Sequence, residues 1–166
     1  MRLVTALLLF ASAAAAQAPE PFHQVCGACH TTVADDFRTH KHLAAGLDCN
    51  TCHGDSVEHR AAAGAAAPDR IAAPQQQAAL CGTCHAENAA QYNESVHGKL
   101  VAALERGPNC GTCHDVHRVR TARATERRCQ TCHEQRPAAC MAEPSAAKFS
   151  VSCANCHTPH LFHAAE

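Results

Sequence analysis

Tryptophan is absent from this chain, and its other aromatics are one tyrosine and five phenylalanines, 4% of the residues in all. One of those phenylalanines, Phe10, falls in the first dozen residues. Large apolar side chains normally fill the interior of a domain. The 46% apolar fraction does not supply them, because much of it is alanine and cysteine. An ordinary packed core is therefore excluded. Long apolar runs are missing too: the longest, Leu3 to Ala11, is too short to span a bilayer, and no second run of spanning length follows. Charge of one sign is also lacking, with 14 Lys and Arg against 15 Asp and Glu, so no nucleic-acid partner is expected.

What the chain has instead is cysteine and histidine, 13 and 14 of 166 residues. Twelve cysteines form six C-x-x-C pairs: Cys26/Cys29, Cys49/Cys52, Cys81/Cys84, Cys110/Cys113, Cys129/Cys132 and Cys153/Cys156. A histidine follows each pair at once: His30, His53, His85, His114, His133 and His157. With histidine this frequent, six hits in six have chance odds of roughly one in a few million, and C-x-x-C-H reads as c-type haem attachment. Two thiols add to the two vinyl groups on one porphyrin edge. The next residue then stands over the ring face, where its imidazole can bind the iron.

Structural zinc also uses C-x2-C pairs, but in couples, and needs no histidine after every pair. A disulfide framework would close tiny strained loops and leave the histidines idle. Thioredoxin-like chemistry expects one C-x-x-C on a βαβ pattern, and nothing here alternates that way. The reading is six covalently bound c-type haems, with the six motif histidines as proximal ligands.

The chain opens "MRLVTALLLFASAAAAQAPEP": a charged start at Arg2, an apolar stretch, and small residues Ala14 to Ala16. This reads as a signal peptide over residues 1–16, giving an exported, periplasmic or extracellular protein with no membrane span after cleavage. The mature chain is then about 150 residues, one ordinary domain's worth. A compact body of that size has a radius of gyration near 15 Å by the usual scaling. Six macrocycles cannot avoid near contact inside it. They would also supply the apolar surface that the side chains lack. The expected fold is mainly α with extensive irregular structure, short helices and long loops around a core of six haems. The chain without haem is not expected to fold.

Internal similarity divides the chain into dihaem modules at 17–60, 81–117 and 129–166. An Ala-rich segment, 61–80, and an Arg-rich one, 118–128, join them. Gly64, Pro68 and Pro74 interrupt the first, which reads as a surface linker.

Eight histidines stand outside the motifs. His42 and His97 each follow an aromatic residue, Phe37 and Tyr92, by five positions. His117 and His160 lie three beyond a motif histidine, and His59 six beyond. A histidine so close to its own motif is badly placed to cross its own ring and is expected to reach the haem next door. These five are candidate distal ligands. Between His133 and His157 there is no histidine. One haem must therefore draw on His163, His23 or His40, use Met141, or stay open. His163 is the sixth distal candidate. His23 remains open, as does His40, which stands where Ser95 stands in the second module.

The patterns F-x4-H…C-x-x-C-H-G…H at 37–59 and S-x-H-G-K…C-x-x-C-H-x-x-H at 95–117 resemble the doubled-CxxCH multihaem cytochromes. These include decahaem periplasmic cytochromes that feed electrons through outer-membrane porins, and relatives of the tetrahaem class III cytochromes. Ser145-Ala146-Ala147 departs from that pattern, since a histidine often stands at Ala146 or Ala147 in such proteins. The resemblance implies bis-histidine, low-potential haems and electron transfer. Its implied partners are redox proteins: a membrane quinol-oxidising cytochrome, and a terminal reductase or outer-membrane conduit.

Arg118, Arg120, Arg123, Arg127 and Arg128 offer partners for haem propionates, since guanidinium suits carboxylate. Cys140 is the odd thiol. The leading functional expectation is an electron carrier or wire. A multihaem reductase of a nitrogen or sulfur oxyanion would need one open haem. A self-associating haem filament would use His23 or His163, near the mature termini, as a ligand to the next subunit.

Overall fold

A computed structural model describes residues 20–133, 153–155, 157–158 and 160–161. Residues 1–19, Cys140, Met141, Ala146, Ala147, Cys156 and His163 lie outside these. The described residues are mainly helical with irregular connections, as the composition suggests, and include no strand. The helices are short: α1 Phe22–Gly27, α2 Thr31–Phe37, α3 Lys41–Ala44, α4 Cys49–His53 and α5 Val57–Ala61 come first. Then follow α6 Gln77–Gly82, α7 Ala86–Glu94, α8 Val96–Leu104, α9 Cys110–Cys113 and α10 Ala122–Glu126. Single 3-10 turns hold the fifth and sixth motifs, at Cys129–Thr131 and Cys153–Asn155.

The first two modules use one plan. In each, the first motif closes a helix, α1 or α6, and its histidine is the N-cap of the next. His30 and His85 share that backbone, φ/ψ −102/52 and −103/52. Gly27 and Gly82 let the two helices meet closely: a Cβ there would stand 3.0 Å from Ala34 and 2.9 Å from Ala89. The second motif instead opens a helix. Asp48 and Asn109, both extended, cap α4 and α9 in capping boxes closed by Thr51 and Thr112. Asx oxygens suit such positions because they satisfy amides that a helix start leaves unpaired. α4 packs on α1, and α9 on α6.

Between the two motifs of module two, α7 turns sharply into α8 at Ser95, which is fully buried. Its Oγ donates to the Tyr92 carbonyl at 2.6 Å and accepts from the Gly98 amide at 3.1 Å. His40 holds the equivalent place in module one, where its Nδ1 accepts from the His42 amide at 3.1 Å and caps α3.

The segment 61–80 is more than a spacer. Asp69 accepts from the Ser56 amide at 2.8 Å, and its own amide donates to Ser56 Oγ at 3.2 Å. This folds the segment back over α4 and α5. The buried apolar set among the described residues is only Ala34, Phe37, Ala78 and Val101. Burial stabilises by roughly 25 cal/mol per Å² of apolar surface, so four such residues, two of them alanine, cannot hold ten helices together.

Candidate functional site

Each described motif is wound into a single turn. The histidine amide donates to the carbonyl of the motif's first cysteine at 2.9 Å in motifs one, three, five and six, and at 2.8 Å in motif four. The spacing i, i+3, i+4 then puts both thiols and the imidazole on one face of the turn. Eleven cysteines are described, and none is bridged to another. Among the described residues no group of three or more His, Cys, Asp or Glu side chains is placed to hold a metal ion.

The thiols are not equally enclosed. Cys26, Cys49, Cys81, Cys110, Cys113, Cys129 and Cys153 are half-buried, whereas Cys29, Cys52, Cys84 and Cys132 are exposed. In four of the motifs, then, the second cysteine is the more open of the two. The reason is local. Cys29 falls just past α1, whose C-cap is Ala28, and its amide closes the turn on the Cys26 carbonyl at 3.2 Å. The first thiol of the motif belongs to α1, which packs on α4, and the second, farther along the same face, is left more open.

The imidazoles meet in twos. Ring centres lie 6.0 Å apart for His30 and His59, 6.0 Å for His42 and His85, and 6.0 Å for His53 and His117. They lie 6.1 Å apart for His97 and His133, and 5.8 Å for His114 and His160. Metal–imidazole bonds run about 2.0–2.1 Å. Adding roughly 1 Å from nitrogen to ring centre on each side, two trans imidazoles on one ion stand about 6 Å apart. Each pair joins one motif histidine to one outside the motifs.

Hydrogen bonds orient several of these rings. His53 Nδ1 donates to the Arg70 carbonyl at 2.9 Å, and His59 Nδ1 to the Ala66 carbonyl at 2.7 Å. A carbonyl can only accept, so Nδ1 carries the proton and Nε2 keeps its lone pair. The Asn88 amide lies 3.0 Å from His160 Nδ1. Burial, and then the facing imidazole or another nearby histidine, pushes His42, His97, His117 and His160 below the ordinary histidine value. Neutral imidazole is the ligating form.

The pairing crosses modules in a regular way. His42 and His97, each between the two motifs of its module, reach forward to the first motif of the next, at His85 and His133. His117 and His160, each behind the second motif of its module, reach back to the second motif of the preceding one, at His53 and His114. His59, with no earlier module in these residues, turns to His30 of its own. In this scheme a histidine between His133 and His157 would serve a module beyond the third. His163, the sixth distal candidate, lies outside the described residues.

The two other described histidines outside the motifs, His23 and His40, are engaged elsewhere. His23 Nδ1 meets Asp48 Oδ2 at 3.0 Å, tying α1 to the cap of α4. His40, stacked on Phe37 with ring centres 5.2 Å apart, sits 4.7 Å from His42. Tyr92 donates its hydroxyl to the Pro108 carbonyl at 2.8 Å, beside Cys110 and Cys113. Asp115 pairs with Arg120 at 3.1 Å and Arg118 at 3.5 Å, and Arg118 also reaches Asp36 at 3.6 Å. Arg128 donates to the Thr112 carbonyl at 3.1 Å. The Ala66 and Arg70 carbonyls carry no sequence signal, since every residue has one. The caps Asp48 and Asn109 do carry one, in the D-C-x-T and N-C-x-T stretches.

Thiols and imidazole on one face of a turn, opposed imidazoles at bis-ligand spacing, and a side-chain core too small to stand alone all fit a covalently held haem. They define a c-type haem protein. Residues 80–158, a little under half of the chain and including the last four motifs, match the family described as cytochrome c554 and c-prime. That match supports a multihaem c-type cytochrome, an electron-transfer protein with covalently bound haem. No curated protein and no solved structure matches the chain.

Proposed function

We propose that this chain is an exported hexahaem c-type cytochrome that carries electrons between redox proteins along closely spaced, mostly bis-histidine haems. The observation that carries the reading is the set of five opposed imidazole pairs, each uniting a motif histidine with one outside the motifs. Haem supplies the one-electron couple when bound. The cysteines fix its edge, the motif histidines take one face, and His42, His59, His97, His117 and His160 take the other. Occupied sixth positions favour a carrier over an oxyanion reductase. His23 is held by Asp48, which favours a self-contained chain over a filament.

Mass spectrometry of the purified mature protein checks the count. The mass should begin at Gln17, with the protein in the periplasmic fraction, and exceed the chain by six haems. Low-spin ferric EPR is expected for at least five irons, with at most one iron binding carbon monoxide after reduction. A high-spin signal from two or more irons, or a zinc protein without colour, would refute the assignment.

A further inference from the structure

Ser56 stands at the N-cap position of α5, where a serine usually turns its oxygen onto the first helix amides. Its side chain makes no such bond here. The residue is buried, and its backbone is left-handed, φ/ψ 49/46, a region that residues other than glycine rarely adopt. Ser56 Oγ instead donates to the His53 carbonyl at 3.0 Å and accepts from the Asp69 amide at 3.2 Å. The Ser56 amide donates to Asp69 Oδ2 at 2.8 Å. One serine thus ties the backbone of a motif histidine to residue 69. Gly54 leaves the room for this clasp: a Cβ there would stand 2.7 Å from Asp69 Oδ2 and 2.9 Å from Asp69 Cβ.

The clasp lies between two carbonyls that orient imidazoles. Arg70 follows Asp69 directly, and its carbonyl accepts from His53 Nδ1 at 2.9 Å. Ala66 lies three positions before Asp69, and its carbonyl accepts from His59 Nδ1 at 2.7 Å. His53 belongs to the second motif, and His59 faces His30 of the first. A bond from Nδ1–H to a carbonyl makes the other ring nitrogen a stronger donor to a metal. Stronger donation favours the ferric state and lowers the potential, so hydrogen bonds behind a ligand are a lever on haem potential.

Resting on the hexahaem reading, we propose that Ser56 and Asp69 are positioning residues that set the potentials of the first- and second-motif haems together. They hold segment 61–80 so that one stretch of backbone reaches a ligand of each. The segment between modules one and two is then a potential-setting element shared by two cofactors.

Asp69→Ala in the mature holoprotein, followed by NMR during redox titration, tests this. The potentials of the first- and second-motif haems should rise together, and by more than those of the other four. Asp69→Asn keeps an oxygen for the Ser56 amide, and its potentials should stay close to those of the unmodified protein. Ser56→Ala keeps the amide bond to Asp69 and loses both Oγ bonds, so it should give a smaller shift of the same sign. Equal shifts for Asp69→Asn and Asp69→Ala would mean that Asp69 acts through its charge, and would overturn the clasp. So would an Asp69→Ala shift spread evenly over the haems, or none at all. Each of these results leaves the hexahaem reading standing, whereas a mass short of six haems would sink that reading itself. If the variants fail to mature, a crystal structure of the unmodified holoprotein decides. His53 and His59 Nδ1 should bond to the Arg70 and Ala66 carbonyls there, and water in place of those carbonyls would overturn the proposal.

Discussion

His40 shows how a single residue can read as a ligand and serve as a support. It stacks on Phe37, caps α3 and presses on His42, whose ring faces His85. The alignment of His40 with Ser95 was legible in the sequence, and the shared role proves to be helix capping. The motif residues were legible as well, because i, i+3, i+4 is a local spacing. Which imidazole meets which was not, since partners up to 64 positions apart, as with His53 and His117, are chosen by the fold. His42→Ala should leave the haem attachments intact, because the thiols are untouched. It should convert one iron to a high-spin, carbon monoxide-binding form, read by EPR integration and the visible spectrum. Asp48 offers a second test. Loss of an Asx cap costs about 1 kcal/mol, and Asp48 also holds His23. Asp48→Ala should lower the denaturation midpoint of the holoprotein, whereas Asp48→Asn should recover most of the loss, since Asn109 does the same work at α9.

At the scale of elements, the sharp α7–α8 turn aims His97 at His133. It depends on Gly98, where a Cβ would run into the Tyr92 carbonyl. Crowding of this kind typically costs about 1–3 kcal/mol. Gly98→Ala should therefore destabilise the protein by that order in chemical unfolding and perturb the EPR signal of the fifth-motif haem most. The short helices follow from the caps and glycines in the sequence. The role of segment 61–80 could not be read there. Its composition signals a linker, and it acts through the Ala66 and Arg70 carbonyls, which any side chain would have left in place.

For the whole molecule, the poverty in large side chains predicts that polypeptide alone does not suffice. Ala34, Phe37, Ala78 and Val101 are the buried apolar residues described, and they cannot offset the entropy of ordering so long a chain. The chain made without haem should show little helix by circular dichroism and no cooperative thermal transition, and haem attachment should restore both. A helical, cooperatively melting apoprotein would contradict this. The forward and backward reach of the histidines has one more consequence. Suppose residues 81–128 were repeated once. Each His97 would find the opening motif of the unit after it, and each His117 the closing motif of the unit before it. No new residue would need to evolve. A gene could lengthen such a conductor two cofactors at a time by tandem duplication alone, with the outermost units unchanged as its terminals.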